Sequence, residues 1–367
     1  MFVKLQPAEH RRKFMQDPLF APSNRAPSPG FVHASLELIL RAFLGLVVLG
    51  MILWGTLAIY YSNLSSASLR AVLSYAFASS SAIVLLFLRP RLRAVGWFLS
   101  VFVGLVFWWL SIAPSNDRDW RPDVAVLPSA TFVGDLVTIH NIRNNSYRSD
   151  TDYTPRYYDK TFDLSKLRTM DMFICLWGSP YIAHTIMSFG FEGDNYVAIS
   201  IETRNTQGKE YSAIKGFFKQ YELIYVVSDE RDVVRLRTHY RGEDVHMYRL
   251  RAAHQPSPEL ARKVFLDYLR YVNHLHEHAE WYNAFSHNCT TAIRGHVAPY
   301  AVRSLWSWKI LVNGRLDEML YERKAVDQSL PFADLKARSR INERAMAADD
   351  TPEFSKRIRE GLPGMGE

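Results

Sequence analysis

The chain has 367 residues, of which 48% are hydrophobic and 13% aromatic, enough to bury a core of ~200 residues or more. Its net charge of +7 comes entirely from residues 1–113, with 10 Lys/Arg against 3 Asp/Glu; from totals of 44 and 37 this leaves 34 of each sign in residues 114–367. The larger part therefore has no global bias toward nucleic acid, and neither an internal repeat nor a glycine-rich phosphate loop occurs.

Residues 1–34 are polar, carry Arg11, Arg12 and Lys13 with Pro22, Pro27 and Pro29, and read as a disordered tail. No apolar core follows directly and no small-residue cleavage site appears, so a cleavable signal peptide is not expected. Three apolar runs come next, residues 42–61, 71–88 and 94–113, each near the ~20 residues that a bilayer core requires. The tail and the loop 89–93, with Arg89, Arg91 and Arg93, are arginine-rich, whereas residues 62–70 hold only Arg70. The positive-inside rule therefore predicts a cytoplasmic tail and second loop, and delivers residue 114 onward to the opposite side. Tyr60-Tyr61 and Trp108-Trp109 fall at that outer interface, where aromatic belts sit. Ser79, Ser80 and Ser81 are expected to pack against neighbouring helices.

Residues 114–170 are punctuated by Pro, Asp and Arg, with 132–142 strand-like, and are expected to wrap a following domain. Residues 172–177 read as a buried strand holding Cys175. His184 then opens a strand-like run to Gly190; Glu192-Gly193-Asp194-Asn195 signals a turn, and 196–204 a second strand. A hairpin centred near Gly193 sets His184 opposite Glu202, each nine residues from the centre, and opposed residues share a face. A turn one residue longer would break that pairing.

Residues 208–220, with Tyr211, Phe217 and Phe218, suggest a short helix or lid. Residues 221–227 and 232–237 read as strands flanking the charged Ser228-Asp229-Glu230-Arg231. That turn is taken as solvated, the alternative being an ion-pair network bracing a site. Residues 246–250 form another strand. Residues 258–276 place Leu260, Val264, Phe265, Tyr268, Leu269 and Val272 at helical spacing. His274, His276 and His278 near its end come with no HExxH and no cysteine pair, so no metal is expected. Trp306-Ser307-Trp308 suggests a loop and 313–321 an amphipathic helix. Residues 331–367 read as a surface or membrane-surface element, or as a partly disordered tail.

Two cysteines occur in the whole chain, and the second, Cys289, follows Asn288, a good N-cap, at the start of a helical run. Backbone N–H groups and the helix dipole favour a thiolate there, and such cysteines reach pKa values of roughly 3.5–7.5. With His184 as base and Glu202 orienting it, Cys289 completes a Cys-His-acid triad. The bland alternatives are a buried apolar thiol, a strand-end histidine and a solvated glutamate. A Cys175–Cys289 disulfide is the rival arrangement, and it would leave His184 and Glu202 without a partner.

Four segments resemble the Lnb N-terminal periplasmic domain family: Ala183-His184-Thr185, the run 200–204, the run 221–232, and Trp281-Tyr282-Asn283 with Asn288-Cys289-Thr290-Thr291. They occur in the family's order, over about residues 116–364. The resemblance implies a permuted papain-like fold, similar to NlpC-type thiol enzymes, whose histidine strand precedes the cysteine helix. It also implies lipoprotein N-acylation, with the Cys and His roles falling on Cys289 and His184, although many members have no assigned reaction. It further makes the outer compartment the periplasm.

The reading is thus an α+β protein: a cytoplasmic disordered tail (1–34), three transmembrane helices (35–113), a periplasmic Lnb-like domain with an antiparallel sheet and a Cys-bearing helix (114–345), and a basic C-terminal tail (346–367). The expected activity is acyl transfer from a membrane phospholipid to lipoprotein through a Cys289 thioester. The alternatives are a peptidase or amidase acting on cell-wall peptides and a catalytically silent binding domain. The Cys289 N–H is expected to face the oxyanion, with Asn283, Asn288 and Tyr282 as further oxyanion or substrate contacts. No cofactor and no nucleic-acid partner is expected.

Overall fold

The computed structural model describes residues 29–251, 257–300, 307–310 and 312–366. The chain divides into two compact units, residues up to 56 with 74–103, and residues 57–73 with 104 onward. Three apolar helices lead: α1 (Pro29–Tyr60), α2 (Ala67–Phe87) and α3 (Arg91–Ser111). Each is long and apolar enough to cross a membrane. In the first unit Leu46, Leu53, Ile83 and Leu92 point outward, as lipid-facing residues do, while Ser81, Ala94 and Phe98 are buried and Trp54 meets Phe102 edge-on, centroids 5.7 Å apart. Residues 29–34, expected in the tail, are helical. The basic cluster Arg11–Lys13 lies outside the described residues.

The second unit is built on one sheet. Its strands are β1 (Ser129–Val133), β2 (Leu136–Arg143), β5 (Tyr157–Asp163), β6 (Leu167–Leu176), β7 (Ala183–Phe191), β8 (Asn195–Arg204), β9 (Glu222–Ser228) and β10 (Asp244–Arg249). Two short strands, β3 (Ser146–Tyr147) and β4 (Tyr153–Thr154), pair apart from it. The order is β1-β2-β9-β8-β7-β6-β10, with β5 also on β2. The strand expected over 132–142 is instead the β1–β2 hairpin, because Gly134 takes a left-handed φ of +62° and turns the chain. The sheet is also mixed where an antiparallel one was expected: β2 runs parallel to β9 at Arg143 and Ser228.

β7 is buried on both faces, as a central strand must be. Met187, Phe189 and Phe191 pack on the amphipathic α5 (Ser257–Glu277), with the Phe189 and Phe265 rings 4.8 Å apart. Ile186 packs on the other side with Val233, Val234, Ile341, Phe354 and Ile358. Each such side chain contributes ~1.5–3 kcal/mol on burial.

Two expectations fail here. Residues 232–237 are no strand: Asp229 caps α4 (Glu230–Arg235) by accepting from the Arg231 N–H, and a π-helical turn, Leu236–Tyr240, follows. Nor is the charged segment solvated. Asp232 is fully buried, held bidentate by Arg143 (2.8 and 3.0 Å) and by the Tyr147 hydroxyl (2.9 Å). Glu230, also fully buried, takes two bonds from Arg359 (2.7 and 2.8 Å).

The C-terminal segment is likewise neither basic nor a tail. Residues 346–367 carry three Lys/Arg against five Asp/Glu. After α7 (Leu316–Glu322) and α8 (Phe332–Arg338), the helices α9 (Asn342–Ala348) and α10 (Phe354–Arg357) lie against the sheet. Phe354, Ile358 and Leu362, spaced four apart, form the apolar stripe that buries them. The segment also closes the β10 edge: the Met247 N–H donates to the Ser339 carbonyl and the Ile341 N–H to that of Val245.

Candidate active site

The site is assembled where the first turn of α6 (Cys289–Val297) meets the start of β7. Asn288 caps α6 from extended backbone. Its Oδ1 accepts from the Thr291 N–H (2.9 Å) while Thr291 Oγ1 accepts from the Asn288 N–H (3.0 Å), a reciprocal capping box. Farther along, His296 Nδ1 donates to Asp267 (2.7 Å) and the Tyr225 hydroxyl meets Nε2 (2.8 Å), fastening α6 to α5 and β9. Cys289 is therefore held at a helix N-terminus by ties at both ends of the helix.

His184 comes from β7 in the expected register. Phe191 opposes Asn195 and Ile186 opposes Ser200, so extending the ladder by two residues sets His184 against Glu202. Gly193 (φ +76°) and Asp194 (φ +56°) make the turn. The two side chains meet mainly through a relay. His184 Nε2 donates to Ser200 Oγ (2.7 Å), and Ser200 donates to Glu202 Oε1 (2.7 Å); the direct Nε2–Oε1 distance is 3.4 Å. With Nε2 so engaged, Nδ1 is left for Cys289, and the Trp177 ring lies parallel to the imidazole at 6.3 Å.

Electrostatics decide the protonation states. Burial alone would push the Cys289 thiol up, but the His184 imidazolium and bonds from Thr185 bring it down to about 6. Burial would likewise discharge His184, but Glu202 outweighs it and lifts the imidazole to about 9. Glu202 is disfavoured by burial too, yet Arg237 holds it well below the usual carboxylate range. Between pH ~6 and ~9 the site therefore holds a thiolate–imidazolium pair. Arg237 itself is buried, donating to Glu202 (2.7 Å) and Glu243 (3.1 Å). Cys175 sits beside His184 on the neighbouring strand, but burial and Glu243 raise its thiol far above the ordinary value. Both cysteines are free, so the rival disulfide is not formed.

Cys289, His184, Glu202 and Arg237 line a cleft of about 470 Å³, whose other walls include Trp177, Ile182, Tyr211, Phe217 and Tyr282. Of the expected contacts, Tyr282 lines the cleft, and its hydroxyl pairs with Tyr211. Asn288 lines it too, but both ends of its carboxamide serve the backbone: Oδ1 the cap and Nδ2 the Ala284 carbonyl (2.8 Å). Asn283 is corrected: its Oδ1 accepts the N–H groups of Phe285 (2.9 Å) and Ser286 (3.0 Å), so it pins that turn and is not among the cleft-lining residues.

Asn313 takes a place that sequence reasoning assigned only to a helix start. Its Oδ1 accepts from the Ala183 N–H (2.8 Å), and its Nδ2 donates to the Ala183 carbonyl (2.6 Å) and Thr290 Oγ1 (3.2 Å), 4.0 Å from Cys289 Sγ. It clamps the histidine strand to the cysteine helix. A Cβ on the next residue, Gly314, would stand 2.5 Å from the Pro180 carbonyl oxygen, so only glycine permits this approach. Arg237 is the other unassigned member; the -Asn313-Gly314- pair was the one local signal for either.

Compared with known families, residues 153–314 match the family described as the Lnb N-terminal periplasmic domain. The match ends one residue after Asn313 and contains Cys289, His184, Ser200, Glu202 and Arg237. No curated protein and no solved structure matches the chain.

Proposed function

We propose, from the premise that residues 153–314 are an Lnb N-terminal periplasmic domain on a membrane-anchored chain, that the protein is a cysteine acyltransferase acting on membrane lipid or lipoprotein. The observation that carries this reading is Cys289 facing His184, as a thiolate–imidazolium pair, in a cleft that joins an aromatic and aliphatic wall (Trp177, Ile182, Tyr211, Phe217, Tyr282) to a charged one (Arg121, Asp123, Arg143, Arg241). The histidine strand precedes the cysteine helix in the chain, the order that a resemblance to permuted papain-like thiol enzymes implies.

In the proposed cycle the Cys289 thiolate attacks an ester carbonyl. The developing oxyanion faces the N–H groups of the first turn of α6, which have no partner within the helix. The ester C–O bond breaks, His184 gives its proton to the leaving alkoxide, and an acyl-thioester remains. An incoming amine attacks the thioester; His184 takes its proton, the C–S bond breaks, and Cys289 leaves as thiolate. Ser200 and Glu202 keep Nε2 oriented throughout, and Arg237 keeps Glu202 ionised. The arginine-rich tail and 89–93 loop belong, in this reading, to the cytoplasmic side.

The test is mass spectrometry of lipoprotein N-termini from a strain lacking the protein, compared with wild type. The N-acyl group should be lost, and a Cys289→Ser chain, nearly isosteric at a position where Ser is well tolerated, should fail to restore it while accumulating normally. Unchanged N-acylation with altered wall peptides would instead identify a cell-wall peptidase or amidase. No change in either would leave a binding domain.

A further inference from the structure

One wall of the cleft is formed by a segment whose other contacts lead to the membrane. Lys219 Nζ donates to the carbonyls of Trp109 (2.9 Å), Leu110 (3.2 Å) and Ile112 (3.1 Å), at the C-terminal end of α3, and sits 4.5 Å over the Trp109 ring. Gln220 donates to the Tyr61 carbonyl at the end of α1, and the Tyr61 and Phe218 rings stack at 5.7 Å. Both helix ends lie where an apolar span gives way to polar chain, which is the bilayer interface. Residues 211–217 immediately precede Phe218, Lys219 and Gln220 in the chain.

The segment has a protein side and an open side. Gly216 packs on Tyr282 and Ala284, and its carbonyl accepts the Ala284 N–H (3.1 Å), so the backbone is fixed against the run that leads to Cys289. The buried Tyr221 hydroxyl donates to the Glu210 carbonyl (2.8 Å) and accepts from the Ser212 N–H (2.9 Å), anchoring its root. Tyr211, Ile214 and Phe217 nonetheless remain 41%, 55% and 44% exposed. Tyr211 and Phe217 line the cleft itself, and Tyr211 meets Trp177 edge-on, the ring that stacks on His184. An apolar rim with Lys215 among its residues and Lys219 at its membrane end has the make-up of an interfacial element.

We infer that the segment 211–217 seats on the outer leaflet of the bilayer and that Tyr211 and Phe217 form the rim by which a lipid acyl chain passes from that leaflet into the cleft. The inference rests on the acyltransferase reading for what enters, but the contact with lipid stands independently of turnover. It also assigns Ile214, which does not line the cleft, to the membrane alone.

The full chain carrying Cys289→Ser, reconstituted in phosphatidylethanolamine–phosphatidylglycerol vesicles doped with a phospholipid bearing a diazirine on its acyl chain, tests this directly. Photolysis and peptide mapping should find adducts on residues 211–217 as well as on α1–α3. Ile214→Asp should lower the 211–217 adducts by about tenfold, the order expected for withdrawing one large apolar side chain from lipid, and Ile214→Leu should keep them. The same replacements in the Cys289 chain should leave its alkylation by iodoacetamide unchanged, which reports that the site is intact. Adducts confined to the three helices, or a 211–217 yield indifferent to Ile214→Asp in a chain with normal alkylation, would overturn the inference. Adducts on 211–217 together with normal lipoprotein acylation in the deletion strain would keep the surface and sink only the acyltransferase reading.

Discussion

Two clusters of buried charge sit in the same domain and do different work. In one, Arg143 grips Asp232 (2.8 Å) and Arg359 bridges Glu230 (2.7 Å) and Asp171 (3.0 Å). Its members are arginines and carboxylates, whose ordinary pKa values lie far from neutrality. In the other, Arg237 holds Glu202, Glu202 holds His184 through Ser200, and His184 faces Cys289. It ends in two groups whose charge changes near neutrality, and it opens on a cleft. The chain of opposite charges is the same device in both. What sets the candidate site apart from the brace is the identity of the last two residues and the cleft on which they open.

If this contrast is right, breaking the brace should cost fold and spare chemistry. Glu230→Ala leaves Arg359 buried with one partner fewer, and should destabilise the domain by ~3–5 kcal/mol, a large share of the ~5–15 kcal/mol typical of a domain. Denaturant unfolding measures the loss. In the fraction that stays folded, the pH midpoint for alkylation of Cys289 should not move. A shift of that midpoint would show that the two clusters are one electrostatic unit.

A smaller effect sharpens the comparison from the other side. Ser200→Ala removes the relay but leaves His184 and Glu202 3.4 Å apart. One hydrogen bond to a charged group is worth ~1.5–3 kcal/mol, so turnover should fall by roughly ten- to a hundredfold while thermal stability changes by a few degrees at most. Unaltered turnover would make the serine a bystander.

The difference between the clusters also explains what could be read in advance. The β7–β8 register was legible because alternation and the Glu192-Gly193-Asp194 turn are local, and they put His184 opposite Glu202. The α6 start was legible because Asn288 is a local cap. Arg237 was not, because it reaches Glu202 from a π-helical turn 35 residues away, in a stretch whose Val233-Val234 imitates a strand. The brace was legible only as the alternative reading of the charged turn, and its partners were hidden for the same reason: Glu230 and Arg359 are 129 residues apart, and charges paired over that distance look solvated in sequence. Asn313 joins β7 to α6 across 130 residues, leaving only the neighbouring glycine as a trace.

The central claim is that Cys289 is a thiolate because His184 is a cation. The most direct test is the rate of alkylation of each cysteine by iodoacetamide against pH, in wild type and in His184→Ala. Cys289 should react with a midpoint near pH 6 and Cys175 hardly at all, since burial disfavours its thiolate. The sign for the variant follows from removing the positive charge: only the Thr185 bonds and the helix N-terminus then oppose burial at Cys289, so its midpoint should rise from near 6 toward the ordinary thiol value of ~8.5. A Cys289 midpoint that stays near 6 without His184, or a Cys175 that reacts first, would contradict the account.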